Sequence, residues 1–328
     1  MKNIVRVLTL SAAFALPGAA AFAADIPGRV LKPTPAPAAS QACKETTGLP
    51  TDVFGFTTGS DVNDRGALSA ALEYNGNYGT RNGALQGHLL KAQVSYSPFL
   101  CFEIGPTIQG ASVGAGATTF GFDQRQFGGT LEMKYKLTGR ATHGVGITVT
   151  TEPGIFNRQY RSGFSDIFGN PTRPSGQVYS NLARVLVDFE LVKDRVFGAI
   201  NLEHSAVWDD PVSQSFGFGN PGFARFSNVN IRAALAYKVS DAFYVGVEGS
   251  HQRAYSGIFF GNDLGNAWFA GPTFFWQATD KLAITGAYNY QLAGQTKDVF
   301  NTFGVSGKGV DLINFNRHLA KLKLAYSF

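Results

Sequence analysis

From Gly66 to Phe328 the chain alternates between apolar and polar side chains, in runs longer than ordinary strands. Val229, Ile231, Ala233, Leu235, Tyr237 and Val239 fall on one face, with Asn230, Arg232, Ala234, Ala236 and Lys238 on the other. Leu282 to Tyr290 and Phe127 to Leu137 repeat the pattern. A helix would scatter the lysines of these runs around its axis, whereas a strand gathers them on one side. Twelve such segments lie near 66–76, 86–98, 100–111, 125–138, 142–151, 178–192, 195–207, 227–240, 242–254, 266–278, 280–291 and 316–328. A tilted membrane strand needs about 9–11 residues, while globular strands average about five or six. Connections alternate in length: short turns at 97–99, 139–141, 193–194, 241 and 279, long loops near 77–85, 112–124, 152–177, 208–226, 255–265 and 292–315. A soluble sandwich has no reason to send every long loop to one end. The pattern predicts an all-β fold, a transmembrane antiparallel up-and-down barrel of about 12 strands.

What precedes Gly66 has no such period. Lys2 and Arg6, the apolar run 7–16 and Ala21-Phe22-Ala23 predict a cleaved export signal over 1–23. Residues 24–65 read as a Pro-rich linker followed by an irregular periplasmic segment, with Pro27, Pro33, Pro35 and Pro37 favouring extended chain. The barrel domain is 66–328. Net charge is +5, or +3 once Lys2 and Arg6 are removed. That is too small and too dispersed for a nucleic-acid partner. The 39 glycines and 28 phenylalanines, without any long apolar run, suit many strands and turns rather than a helical bundle.

If the apolar face meets lipid, aromatic residues mark two girdles. Tyr96, Phe102, Tyr135, Tyr237, Trp276 and Phe328 fall near the short turns, and Tyr74, Trp208, Tyr255, Trp268 and Tyr290 towards the loops. The polar face then lines the lumen, with Lys91, Glu132, Lys134, Lys136, Arg184, Glu190, Glu203, Arg232, Lys238, Glu248, Lys281, Lys321 and Lys323 as pore candidates. Glu73, Glu103, Asp188 and Arg317 share that face by parity. Charges at membrane depth must be wet or paired. Two readings stay open: a basic excess selecting anions, or acid–base pairs that fill the lumen.

The last strand, His318-Leu319-Ala320-Lys321-Leu322-Lys323-Leu324-Ala325-Tyr326-Ser327-Phe328, resembles the C-terminal signature of Gram-negative outer-membrane β-barrel proteins. The resemblance implies that Leu322, Leu324, Tyr326 and Phe328 form the assembly signal read by the barrel assembly machinery. Ala24-Asp25-Ile26-Pro27 with the Lys/Pro/Ala-rich stretch after it resembles alphaproteobacterial outer-membrane porins. Those porins carry sixteen strands and often an early cysteine pair. Here the only cysteines are Cys43 and Cys101, far apart, and the alternation gives twelve strands. Both cysteines fall on the periplasmic side, an oxidising compartment, so a Cys43–Cys101 disulfide is expected. Closing that loop of about 58 residues is worth roughly 4 kcal/mol in the chain-entropy model. It would tie residues 41–65 against or into the barrel mouth, where they act as a partial plug.

The residues give no catalytic constellation. His204 and Ser205 are neighbours on a strand and point to opposite faces. Outer-membrane phospholipase, similar in strand count, places such residues on one face. His88, His143, His251 and His318 are isolated, and neither metal nor cofactor is expected. Asp209, Asp210 and Asp263 read as loop acids. Loop phenylalanines, among them Phe156, Phe164, Phe168, Phe216, Phe218, Phe223, Phe259, Phe260 and Phe303, read as loop-on-loop packing. The expectation is a non-enzymatic outer-membrane channel, a porin passing small hydrophilic solutes with a mild preference for anions. A structural or surface-interaction barrel with a blocked lumen is the alternative, and a lipid-modifying enzyme the more distant one. Expected partners are outer-membrane lipid and lipopolysaccharide, the assembly machinery, small polar solutes and, compatibly with the sequence, further copies of the chain.

Overall fold

The structure, a computed structural model, describes residues 49–50, 52–80, 85–115, 123–160, 175–209, 224–297 and 309–328. Twelve antiparallel strands form one closed barrel: β1 (Leu68–Thr80), β2 (Leu85–Phe99), β3 (Phe102–Ala115), β4 (Asp123–Thr138), β5 (Val145–Tyr160), β6 (Ser175–Val192), β7 (Val196–Asp209), β8 (Ala224–Ser240), β9 (Phe243–Ser256), β10 (Asp263–Gln277), β11 (Leu282–Thr296) and β12 (His318–Ser327). Each strand pairs with its sequence neighbours, and β12 closes on β1 with Tyr74 opposite Leu322 and Glu73 opposite Lys323. Closure leaves no sheet edge to template aggregation. Twelve strands, not the sixteen of the alphaproteobacterial porins, make the wall.

The expected alternation is the wall's inside and outside. Leu72, Leu90, Val94, Ile108, Phe127, Val247 and Leu324 are exposed on the outer surface, with Ile108 62% and Phe127 64% exposed. No soluble monomer carries an apolar belt of this extent without a partner phase. The predicted girdle aromatics Tyr96, Tyr135, Tyr237, Trp276, Phe328 and Trp268 share this exposed surface. Facing inward are Glu103, Thr107, Glu132, Thr148, Asp188, Asn201 and Asn289, all buried.

Several strands run further towards the loops than their apolar alternation indicates. β5 continues to Tyr160 and β11 to Thr296, and β8 starts at Ala224. Polar side chains outside the bilayer still complete their backbone ladder. Phe156, expected in a loop, lies in β5 facing inward at 4% exposure. Phe259 and Phe260 pack on the wall rather than on other loops: the Phe259 ring stacks on His204 at 5.6 Å. Phe164, Phe168, Phe216, Phe218, Phe223, Phe303 and Asp210 lie outside the described residues.

The turn after β4 is a one-turn helix, α1 (Arg140–His143), stopped by Gly144. Gly144 has φ 73°, a left-handed conformation that favours glycine, and its N–H bonds the Arg140 carbonyl at 2.8 Å. This tight reversal directs Arg140 into the barrel mouth, where it is 5% exposed.

Candidate functional site

The lumen is where chain, charge and cavity converge, and its short-turn half is occupied. Residues 49–63, expected as an irregular periplasmic segment, cross the inside of the barrel. Leu49, Val53 and Phe54 pack with Phe197, Ala199, Ala234, Ala236, Tyr244 and Phe275, the inward residues of β7–β10 at the short-turn end. Ala199, Ala234 and Ala236 on that wall leave space for the inserted Phe54 ring. Gly55 is where the segment touches the wall most closely: a β-carbon there would lie 2.5 Å from Ala287 Cβ and 2.8 Å from Glu248 Oε1.

From Phe56 onward, polar groups of the wall hold the segment. The Glu248 carboxylate accepts the N–H groups of Phe56 (3.0 Å) and Thr57 (2.9 Å), the Thr57 hydroxyl (3.1 Å) and Asn289 Nδ2 (3.2 Å). Asn201 imitates a neighbouring strand: its Oδ1 accepts the Thr58 N–H at 3.1 Å and its Nδ2 donates to the Thr58 carbonyl at 3.0 Å. Asp188 accepts the Ser60 N–H at 2.6 Å and the Ser60 hydroxyl at 2.9 Å. Asp61 receives Lys136 Nζ and Arg140 Nη2, both at 2.7 Å, and Arg140 Nη1 lies 2.6 Å from Asp188. Glu103 accepts the Asn63 N–H at 2.9 Å, just before the chain turns into β1. A non-repetitive backbone can be buried only when its polar groups find partners, and the barrel supplies them as side chains.

The other end of the segment is clamped by charge. Lys323 Nζ is 2.8 Å from both oxygens of Asp52, and the Thr285 hydroxyl donates to the Asp52 carbonyl at 3.0 Å. Burial pushes the Asp52 pKa up, but the Lys323 ammonium, with Lys134 and Lys321 further off, outweighs it and holds the group below its ordinary 3.8. A carboxyl with a depressed folded pKa stabilises the fold above its unfolded pKa, and loses that contribution as pH falls through the folded value. The clamp should therefore be unchanged between about pH 7 and about pH 5 and weaken only below the ordinary value. Protease access to residues 49–63, followed across that range, checks this; a rise in access already at about pH 5 that is absent from Asp52→Asn contradicts it.

Past the segment lies a polar cavity of about 380 Å³. Of the predicted pore residues, Lys91, Glu132, Lys134, Arg184, Glu203, Arg232, Lys321 and Lys323 line it. They are cross-linked: Lys134 with Glu103 at 3.0 Å, Arg184 with Glu132 and with Glu152, Arg232 with Glu203 at 3.1 Å, and Lys321 with Glu73 at 3.1 Å. Arg232 and Lys321 also approach the Phe56 ring, at 5.7 and 5.9 Å. Lys136 and Glu248 face inward too, as anchors of the inserted segment. The lumen charges are thus joined as acid–base pairs around a cavity that remains open among them.

Three candidates lie at the rim instead. Glu190 accepts the Asp194 N–H of the β6–β7 turn, Lys238 pairs with Asp241 at 2.7 Å, and Lys281 sits in a turn with Nζ 5.9 Å from the outward Tyr326 ring. Arg317 also leaves the lumen, stacking on outward-facing Tyr290 at 4.4 Å. Strand parity fails there because these residues flank or end a strand, where the backbone turns. Cys101 occupies the β2–β3 turn with φ 65° and is not a free thiol. Cys43 lies outside the described residues. Asp209 pairs with Arg158, and Asp263 with Arg253 and Lys297. Among the described residues no group of three His, Cys, Asp or Glu side chains is arranged to hold a metal.

Asp52, Asp61, Ser60, Arg140, Glu152 and Asn201 carry much of this architecture without having stood out in the sequence. The segment has no period because it is not a strand. The available signal was Phe197, Tyr244 and Phe275: large rings on an otherwise polar face need an apolar partner inside.

No curated protein matches the chain in sequence. Among solved structures it is similar to the translocator domain of the autotransporter NalP from Neisseria meningitidis, with 12% identity, TM-score 0.51, and coverage of 82% of this chain and 90% of that one. The beta domain of the Bordetella autotransporter BrkA gives 8% identity, TM-score 0.53, and coverage of 81% and 100%. An outer membrane channel from Pseudomonas putida F1 gives 14%, 0.49, 81% and 97%. At such identities the likeness to the two autotransporter domains shows the fold alone, that of an outer-membrane β-barrel. A family match covers residues 50–328, the described inserted segment and the wall together: the chain belongs to DUF6662, a family of unknown function.

Proposed function

We propose that the protein is an outer-membrane channel for small hydrophilic solutes, closed in this conformation by residues 49–63. The observation that carries this is the chemistry of the seal. From Phe56 to Asn63 the segment meets the wall through hydrogen bonds and ion pairs, each of which water can replace, and a polar cavity lies past it. A permanently filled barrel needs no such wet interior.

The seal also bears on selectivity. Residues 49–63 contain Asp52 and Asp61 and no lysine or arginine. When the segment leaves, Asp52 is withdrawn from Lys323 and Asp61 from Lys136 and Arg140, so the lumen loses two acids and becomes more basic, which favours anions. No catalytic step belongs to this reading. The buried Asp61–Lys136–Arg140–Asp188 network favours one other reading, a barrel blocked for good. Leu322, Leu324, Tyr326 and Phe328 are exposed on the outer face, which supports their role as an assembly signal.

Planar-bilayer recording of the mature chain and of a version lacking residues 50–63, under a KCl gradient, tests the proposal. The expected result is rare openings for the first and stable, anion-biased current for the second. A folded barrel that stays silent even without the segment would leave the blocked barrel.

A further inference from the structure

At the loop end of the barrel, the chain just before β12 also turns inward. Residues 309–316 form a strap over the inner face of β9–β12, and wall groups hold it there. Gln291, a buried inward residue of β11, brackets Asp311 as a neighbouring strand would: its Oε1 accepts the Asp311 N–H at 3.0 Å and its Nε2 donates to the Asp311 carbonyl at 2.9 Å. The buried Asp311 carboxylate closes the turn by accepting the N–H groups of Ile313 (3.1 Å) and Asn314 (3.0 Å). Asn314 Nδ2 donates to the Leu264 carbonyl of β10 at 3.0 Å. Gly294 leaves room for the turn, since a β-carbon there would lie 2.7 Å from the Asp311 nitrogen. Phe315 of the strap is buried with Ala254, Ala267, Phe269 and Leu319. Phe56 packs against this same cluster. The other large apolar residues of the inserted segment, Leu49, Val53 and Phe54, belong to the separate cluster at the short-turn end. Phe56 is therefore where the seal meets the packing of an external loop. The polar cavity is bordered by both, by Phe56 and Thr57 from the segment and by Asn316 from the strap.

We infer that the strap and residues 49–63 are two halves of one latch joined at Phe56, so that freeing either half loosens the other. The seal at the short-turn end then answers to events at the loop end. The physical reason is shared burial. The Phe56 ring is out of water only while Phe315 and its neighbours stay packed. With the strap lifted, the ring faces the wet cavity, and the adjoining Phe56 and Thr57 N–H groups, held by Glu248 at 3.0 and 2.9 Å, are opened to water. A coupling of this kind is reciprocal: the segment steadies the strap by as much as the strap steadies the segment. The strap is anchored by Gln291, which bonds the strap and not the segment, so one half can be freed without touching the other. The latch stands independently of conduction; only its effect on opening rests on the channel reading.

Hydrogen–deuterium exchange of the full mature chain in detergent, read by mass spectrometry, follows both halves at once. In Gln291→Ala, exchange is expected to rise about tenfold across residues 309–316 and by a similar factor across residues 56–61, with β3–β5 unchanged. Phe315→Ala keeps the Asp311 turn and removes only the ring, and it should loosen residues 56–61 as well. Phe56→Ala should raise exchange across residues 309–316, and in that background Gln291→Ala should add nothing further to residues 56–61. A rise confined to residues 309–316 in Gln291→Ala, with the segment as protected in Phe315→Ala as in wild type, would overturn the inference. Gel shift on heating confirms a folded barrel in every variant. In planar bilayers Gln291→Ala should open more often than wild type. A barrel that transmits the exchange but stays silent counts against the channel reading alone and leaves the latch standing.

Discussion

Replacing Glu248 with alanine is expected to raise the open probability of the reconstituted protein about a hundredfold, from the loss of roughly 3 kcal/mol of seal. The carboxylate is a buried anchor of the inserted segment, and all its acceptor sites are in use, by two backbone N–H groups, one hydroxyl and one amide. Hydrogen bonds to a charged acceptor contribute about 1.5–3 kcal/mol each. Not all four count towards opening, because Asn289 belongs to the wall and the freed N–H groups are rehydrated once the segment leaves. Two backbone bonds at the lower end of the range give the figure. Glu248→Gln keeps one acceptor oxygen and should fall between wild type and alanine. Single-channel recording separates a change in open time from a change in unit conductance; only the first is expected. If Glu248→Ala stays closed while deletion of residues 50–63 conducts, the seal is held by its ionic end and not by this carboxylate.

The wall was legible in the sequence because a barrel strand has one rule, alternation, and it applies for ten residues or more. Val229 to Val239 shows it with hardly a break, and the structure pairs these residues along β8 in the expected sense. The even strand number and alternating loop lengths followed from the same rule. What lies inside the wall obeys no period. Ser60, Asp61 and Asn63 are a serine, an aspartate and an asparagine in a polar stretch, indistinguishable from loop until Asp188, Arg140 and Glu103 are found facing them across the barrel. Arg140 read as a turn residue because Gly139 and the short spacing to β5 predicted a reversal. They did not predict that a single helical turn would swing its first side chain inward. Along strands such as β4, Glu132, Lys134 and Lys136 alternate without interruption and all three face the interior. At Glu190, Lys238 and Lys281 the strand ends or turns, and parity no longer fixes direction.

Arg140→Ala should be the most destabilising single change at the short-turn mouth, costing about 3–5 kcal/mol, the range for removing one partner of a buried ion pair. The guanidinium lies between two carboxylates, 2.7 Å from Asp61 and 2.6 Å from Asp188. Asp188 is fully buried and Asp61 nearly so, and burial of the charge is offset by these contacts, which hold the Arg140 pKa above its ordinary value. Without it, Asp61 keeps Lys136, whereas Asp188 is left as an uncompensated charge facing the Ser60 N–H and hydroxyl. The loss is therefore concentrated at Asp188, and Asp188→Asn in the Arg140→Ala background should recover part of it. Asp61→Asn in that background should recover less. Denaturant unfolding of the barrel in lipid, read as the shift in midpoint for the three variants and for Asp188→Asn and Asp61→Asn alone, gives the coupling between Arg140 and each carboxylate. The network links the inserted segment through Asp61 to the wall through Asp188, so the same variants should also shorten closed times in the bilayer. A cost below about 1 kcal/mol for Arg140→Ala, the range of exposed pairs, would mean that the mouth is hydrated, and that Glu248, Asn201 and the apolar contacts of Val53 and Phe54 alone keep residues 49–63 inside the barrel.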